Sequence, residues 1–275
     1  MNTIENAIVA FLDVLGFQQM ILNGEKEKIK LFFNTVDDIF SEYSQIKPEM
    51  IKFLVSDSII LAVECNEEKL RTLLRAIRNS QTKLAVQNIW LRGAISYGDI
   101  TYDNGKNIIY GEGYLKAFNL ESEEALYPRV IIDPRLIPKI KDNREEFLKC
   151  FSSKFYNHTN VSLELDKIKA DVENDFISAG LDSFQEENND VLFVNYSSRL
   201  IFNNREKRTG GDLNKIIENI KSNIYSEVSR YKKYNWVKNY FAFSINRYSN
   251  KYFEPGNSNK TSRCLYEALK NLEKL

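Results

Sequence analysis

Two apolar runs, each broken by a single aspartate, set the tightest limits on how this chain can fold. The first is Ile8-Val9-Ala10-Phe11-Leu12-Asp13-Val14-Leu15-Gly16-Phe17, and the second is Phe53-Leu54-Val55-Ser56-Asp57-Ser58-Ile59-Ile60-Leu61. Both read as buried strands. A carboxylate in such a strand needs a partner, and the cheapest partner is a cation. Two acids at one depth of one sheet point to a divalent-metal site, and such a site points to phosphoryl transfer. The plainer alternatives are that Asp13 caps the helix that follows and that Asp57 is only a hairpin-turn residue.

Composition removes other chemistries. Lys+Arg and Asp+Glu are both 38, so charge gives no argument for a nucleic-acid or membrane partner. No apolar run approaches the roughly 18 residues of a membrane helix, and no basic segment precedes the first apolar run as in a signal peptide. Three scattered cysteines, Cys65, Cys150 and Cys264, suit a reducing cytoplasm and form neither a disulfide framework nor a thiolate zinc site. His158 is the sole histidine. That removes Ser-His-Asp and Cys-His catalysis and multi-histidine metal sites. What is left is oxygen-ligand chemistry, with Mg²⁺ or Mn²⁺ on carboxylates.

Hydrophobic periodicity predicts a strand over Ile8–Leu15, a helix over Lys26–Tyr43, a hairpin of Ile51–Ser56 and Ile59–Glu64 turning at Asp57-Ser58, and a helix over Glu67–Gln87. A strand over Leu91–Tyr97 follows, with Gly98 beginning its exit. A turn at Asn104-Gly105, a short strand at Ile108–Tyr110, a helix from Gly113 to Ala125 and a strand over Arg129–Ile132 complete the series. The order β-α-β-β-α-β-(β)-α-β predicts an α+β fold, a ferredoxin-like or palm core with helices on one face of an antiparallel sheet. That topology sets Asp13 beside Asp57. Residues 1–140 are expected to form the catalytic core. Residues 141–275 are expected to form a mostly helical extension packed on it, with one added strand near 190–196 and helices over Leu213–Tyr231, Trp236–Arg247 and Thr261–Lys274.

Three further features could carry chemistry. Gly16 ends the first strand where backbone N–H groups can face phosphates. On the fourth strand, alternation puts Arg92, Ala94 and Ser96 on one face. An arginine there serves either substrate recognition or a structural acid. The helix after Gly111-Glu112-Gly113 carries Leu115 and Asn119 on one face and Lys116 and Leu120 on another. The aromatic stretch from Tyr231 to Phe241 reads as a core or interface helix.

In this order, Phe11/Asp13/Gly16/Phe17, Asp57, Arg92/Gly93/Gly98 and Gly111/Ala117/Leu120/Glu121 resemble the motifs of the class III nucleotide cyclases over roughly residues 7–133. The wording Leu-Asp-Val-Leu-Gly-Phe, Ser-Asp-Ser, Arg-Gly-Ala-Ile-Ser and Tyr-Pro-Arg-Val-Ile-Ile-Asp looks most like the bacterial pyrimidine cyclases of Pycsar anti-phage systems. The tail, with Leu-Phe-Val-Asn-Tyr and Lys-Tyr-Asn-Trp-Val, is similar to theirs too. The resemblance implies a cyclase core, conversion of UTP or CTP to cUMP or cCMP, two Mn²⁺ or Mg²⁺ ions, a homodimer with sites at its interface, and a separate effector activated by the product. It implies Asp13, Asp57 and the Val14 carbonyl as metal ligands. It places Gly16, Phe17, Phe53, Arg92, Ala94 and Asn119 at the substrate, Phe53 standing where adenylate cyclases of the family carry a purine-reading lysine. The chain departs from the family on the helix: Leu115 and Asn119 occupy the positions of a transition-state asparagine and arginine. Arg92, Lys116 and Arg129 are the candidate replacements. Otherwise the chain is a weak or inactive cyclase-like binding or dimerisation module.

Overall fold

The computed structural model describes residues 1–46, 50–151, 177–178, 191–201, 211–252 and 260–275. Strand β1 (Asn2–Val14) is central. It lies antiparallel between β3 (Ser58–Val63) and β4 (Leu91–Asp103), in a sheet ordered β2-β3-β1-β4-β6-β8-β7. The other strands are β2 (Ile51–Val55), β5 (Ile108–Tyr110, paired to β4), β6 (Val130–Ile132), β7 (Ile177–Ser178) and β8 (Phe193–Val194). Among the described strands, only the β4–β6 pairing is parallel. The class is α+β, as expected.

The apolar continuity of β1 has a direct cause: both of its faces are covered. Ile8, Ala10, Leu12 and Val14 enter one core with Phe32, Val36 and Ile39 of α2 (Lys26–Ile46) and Leu70, Leu73, Leu74 and Ile77 of α3 (Glu67–Val86). Ala7, Val9 and Phe11 enter another, with Phe53, Ile60, Ala62 and Ala117 of α4 (Glu112–Glu124). The expectation of helices on one face is therefore corrected. Helix α4 covers the second face over β1 and the adjoining part of β4, and the unbroken apolar run of β1 is the sequence mark of that double cover.

Close backbone approach holds α4 down. A Cβ on Gly113 would meet the Gly98 carbonyl oxygen at 2.7 Å and Val9 Cγ2 at 2.9 Å. Gly98, at φ +154°, does not end the fourth strand as expected. β4 continues to Asp103, and Gly98 sits opposite Ala7 where α4 presses on the sheet. The glycines of this segment thus serve helix–sheet packing.

A third core lies over the β6–β8 side. Phe193, Tyr196, Trp236, Tyr240 and Phe241 pack there with Ala94 and Ile131. Trp236 stacks on Tyr127 at 5.7 Å and on Tyr240 at 5.2 Å, in keeping with a core role for the aromatic stretch. Short helices α1 (Phe17–Leu22), α5 (Ile137–Ile140) and α6 (Arg144–Phe151) precede α7 (Gly211–Asn223), α8 (Val228–Tyr252) and α9 (Lys260–Glu273). The helix expected over Leu213–Tyr231 instead ends at Asn223, and α8 begins at Val228. The hairpin turn is Ser56-Asp57 rather than Asp57-Ser58, because Val55 pairs with Ser58 and Ser56 takes a φ of +57°. The strand expected over 190–196 is confined to Phe193–Val194. His158 and most of the 141–187 segment lie outside the described residues.

Candidate active site

The site grows from three strand ends and one helix. Asp13 is the penultimate residue of β1. Leu12 pairs with Ile59, so the end of β1 runs beside the β2–β3 turn that carries Asp57. On the other side Asp13 sits opposite Arg92 of β4. The two aspartates expected to be neighbours are neighbours. Burial, then the charges of Asp57 and Glu121, push the Asp13 carboxyl from its ordinary 3.8 up to about 6, with Arg92 opposing them. Glu121, on α4, is buried and is also pushed upward, first by burial.

Arg92 ties this group together. Its Nε and Nη2 donate to Asp13 Oδ2, both at 3.3 Å, and its Nε lies 2.7 Å from Glu121 Oε1. The side chain is only 26% exposed, so its two counter-ions satisfy a charge that the sheet has largely removed from water. Of the two readings of Arg92, the pairing with structural acid is thus present, and the acid includes Asp13 itself. Asp57 adds its charge to those of Asp13 and Glu121, and carboxyls crowded at the end of β1 are a place where a bound cation would relieve their repulsion.

The fit to a divalent ion can be judged from the donors. Among the described residues, no group of three or more His, Cys, Asp or Glu is placed to hold a metal. Among those residues the end of β1 offers two adjacent carboxylates, Asp13 and Asp57. That suits Mg²⁺ or Mn²⁺, which are commonly held by one or two carboxylates and complete their shell with water and substrate phosphate oxygens.

The remaining residues named from the sequence are distributed as follows. Val14 closes β1 opposite Leu91. Gly16, at φ +80° in the left-handed region, turns the chain from β1 into α1 with no atom crowding its missing Cβ, so its conformation and not its size is what the turn needs. Phe17 is buried against Phe32 and Phe33. Phe53 is 3% exposed in the core under α4, and Ala94 is wholly buried beside Ile131. Asn119 is exposed on α4, on the same side of the helix as the exposed Leu115. Lys116 is engaged by Glu112 at 2.9 Å and by the Tyr97 ring. Arg129 is buried among the rings of Tyr127, Phe193 and Trp236. Of the three candidate replacement cations, Arg92 is the one bonded to Asp13.

Sequence reasoning gave two contributors no role: Glu121, named only as part of a motif, and Lys233. Glu121 could have been found, because an arginine in a core strand demands a buried counter-ion. Lys233 of α8 had no local signal. It is half-buried, and its ammonium is held below its ordinary range by burial and by Arg92 and Arg230, with Asp13 opposing. It lines a cleft of about 400 Å³ with Gly16, Gln19, Lys28 and Arg230.

No family model and no curated protein matches the chain. Solved structures that it resembles include the adenylyl cyclase CyaB from P. aeruginosa, at 12% identity over 71% of this chain and 96% of that one, with a TM-score of 0.43. A bacterial light-regulated adenylyl cyclase matches at 15% identity over 50% and 79%, with a TM-score of 0.37. The guanylate cyclase domain of RhGC from Catenaria anguillulae, solved in complex with GTP, matches at 14% identity over 56% and 88%, with a TM-score of 0.36. Overlaps this loose leave the function to be argued from the site itself.

Proposed function

We propose that this chain is a metal-dependent nucleotide cyclase that converts a pyrimidine nucleoside triphosphate, UTP or CTP, to its 3′,5′-cyclic monophosphate and pyrophosphate. The observation that carries the reading is the juxtaposition of Asp13 and Asp57 at the sheet end, with Asp13 raised to about 6 by burial and by its acidic neighbours. Asp13 and Asp57, with the Val14 carbonyl, would hold the ions, two in number. Bound there, Mn²⁺ or Mg²⁺ would supply Lewis-acid stabilisation of charge on the phosphates and lower the pKa of the ribose hydroxyl.

The chain's own residues do the rest. Arg92 fixes the Asp13 carboxylate, so its position is set before substrate arrives, and preorganised charge of this kind is the main source of rate in phosphoryl transfer. Gly16, three residues after Asp13, lets the backbone turn from β1 into α1. Phe53 removes from β2 the lysine that would read a purine. Glu121 keeps Arg92 from neutralising Asp13 fully, because the one guanidinium is shared between two carboxylates.

The sequence resemblance to pyrimidine cyclases supports the base preference and extends the proposal to a homodimer and to a second-messenger role in anti-phage defence through a product-activated effector. Exposed Leu115 and Phe118 on α4 and Val55 beside the Asp57 turn favour a partner subunit at this end of the sheet. The second reading, a weak or inactive cyclase-like module, draws on Leu115 and Asn119, neither of which can stabilise a developing phosphate charge as an arginine does. Incubation of the chain with each of the four ribonucleoside triphosphates and Mn²⁺ separates the two. A cyclic pyrimidine product supports the first, and binding without turnover supports the second.

A further inference from the structure

Lys233 sets an electrostatic problem that the cyclase residues leave unanswered. It is half-buried, makes no ion pair among the described residues, and lies close enough to Arg92 and Arg230 for both to repel its charge. Asp13 opposes them. Nearby cations are better served. Lys28 pairs with Glu25 at 3.4 Å, and Arg230 reaches Glu227 at 3.7 Å and Asn223 Oδ1 at 3.4 Å. A half-buried ammonium beside two guanidiniums raises the energy of the empty protein, and an anion in the same space would relieve it.

That space exists. The cleft of about 400 Å³ runs between the Leu15-Gly16 turn and the first turns of α8, and its size falls within the range of small-molecule sites. One wall is Trp90 against Tyr234, edge to face at 6.0 Å, and Asn88 fixes both by accepting from Trp90 Nε1 and the Tyr234 hydroxyl. The wall is therefore rigid. The cleft is lined by Leu15 and Gly16, which follow Asp13 by two and three residues, and Lys233 on its wall lies within electrostatic reach of Asp13.

We infer that α8 supplies the phosphate-binding cations of this site, with Lys233 as the principal ligand of the β- and γ-phosphates of the nucleoside triphosphate and Arg230 beside it. The inference rests on the cyclase reading and answers what stands in for the absent arginine of α4: a cation delivered from the C-terminal helices of the same chain. In the reaction the ribose 3′-oxygen forms a bond to the α-phosphorus while the bond from that phosphorus to the bridging oxygen of the β-phosphate breaks. The electron pair leaves on pyrophosphate, and the hydroxyl proton passes to water. Lys233 donates hydrogen bonds to the departing pyrophosphate oxygens, where negative charge accumulates.

The test uses the full chain, its Lys233→Met and Lys233→Arg variants, and Glu227→Gln, which alters an exposed residue and frees Arg230. Inorganic tripolyphosphate is the binding probe, followed by calorimetry and by its effect on melting temperature. Cyclic nucleotide formation gives KM and kcat. The expected result is a tripolyphosphate-dependent rise in melting temperature for the parent chain that K233M loses, while K233M without ligand melts no lower than the parent. KM for the triphosphate should rise at least tenfold in K233M, stay within about threefold in K233R, and fall in E227Q. Unchanged KM and unchanged tripolyphosphate binding in K233M, with E227Q also unchanged, would overturn the inference while leaving a cyclase intact. Lys233-dependent tripolyphosphate binding in a chain that cyclises no nucleotide would support the anion site and overturn the cyclase reading.

Discussion

Replacing Asp13 with asparagine should stabilise the metal-free protein while abolishing its activity. The side chain is 21% exposed, and its carboxyl is lifted from 3.8 to about 6, first by burial and then by Asp57 and Glu121. A folded-state pKa above the unfolded one means that the folded chain holds the proton more tightly. The associated stability is fully present below pH 3.8 and is lost as pH rises through about 6. At neutral pH the ionised carboxyl then costs on the order of 3 kcal/mol, part of it shared with Asp57. A neutral amide in its place would carry no such cost. In urea denaturation with a chelator present, the stability of Asp13→Asn relative to the parent should increase by about 2–3 kcal/mol between pH 4 and pH 7.5 and level off above that. Saturating Mn²⁺ should close the gap by stabilising only the parent. A stability difference that stays flat from pH 4 to pH 7.5 would refute the reasoning, because the crowding of Asp13 would then be absent.

Other residues give independent checks. Glu121→Gln removes one of the charges that lift the Asp13 carboxyl, so the loss of stability assigned to Asp13 ionisation should level off at lower pH, read in a urea denaturation series against pH. Gly113→Ala drives a methyl into the Gly98 carbonyl, so α4 must lift from the sheet; about 1–3 kcal/mol should be lost, visible in thermal unfolding. Burial pushes the Asp133 carboxyl up, but donors from Arg135 and Ser96, the latter at 2.6 Å, more than offset it and hold the group below its ordinary value. Its stabilisation is therefore present above pH 3.8 and lost as pH falls through the lower folded value. Asp133→Asn should cost about 1–3 kcal/mol at pH 7 and progressively less in acid, in a denaturation series against pH.

What the sequence made legible follows from where each signal is local. Asp13 and Asp57 stood out because a carboxylate inside an apolar strand is costly wherever the strand lies, and the element order then brought them together. The alternation on β4 correctly separated Arg92 and Ala94 from Leu91 and Ile95. Gly98 misled because a glycine demanded by the close approach of α4 looks, in one dimension, like a strand end. The helix over Gly113–Ala125 was legible, but its place on the second face was not, although the unbroken apolar run Ile8–Leu12 marks burial on both sides. Lys233 was invisible for another reason. Its position at the cleft depends on α8 folding back over the β1–α1 turn, and no spacing within Tyr231–Phe241 encodes that return. Glu121 lay between these cases: its motif was visible, but its partnership with Arg92 required the height of α4 above the sheet.

The most direct test of the account is product analysis after incubating the chain with UTP, CTP, ATP and GTP in turn with Mn²⁺, alongside Asp57→Ala. The account predicts a cyclic pyrimidine monophosphate and pyrophosphate from the parent chain and neither from the variant. Absence of a cyclic product from all four nucleotides, or an equal yield from Asp57→Ala, would contradict it.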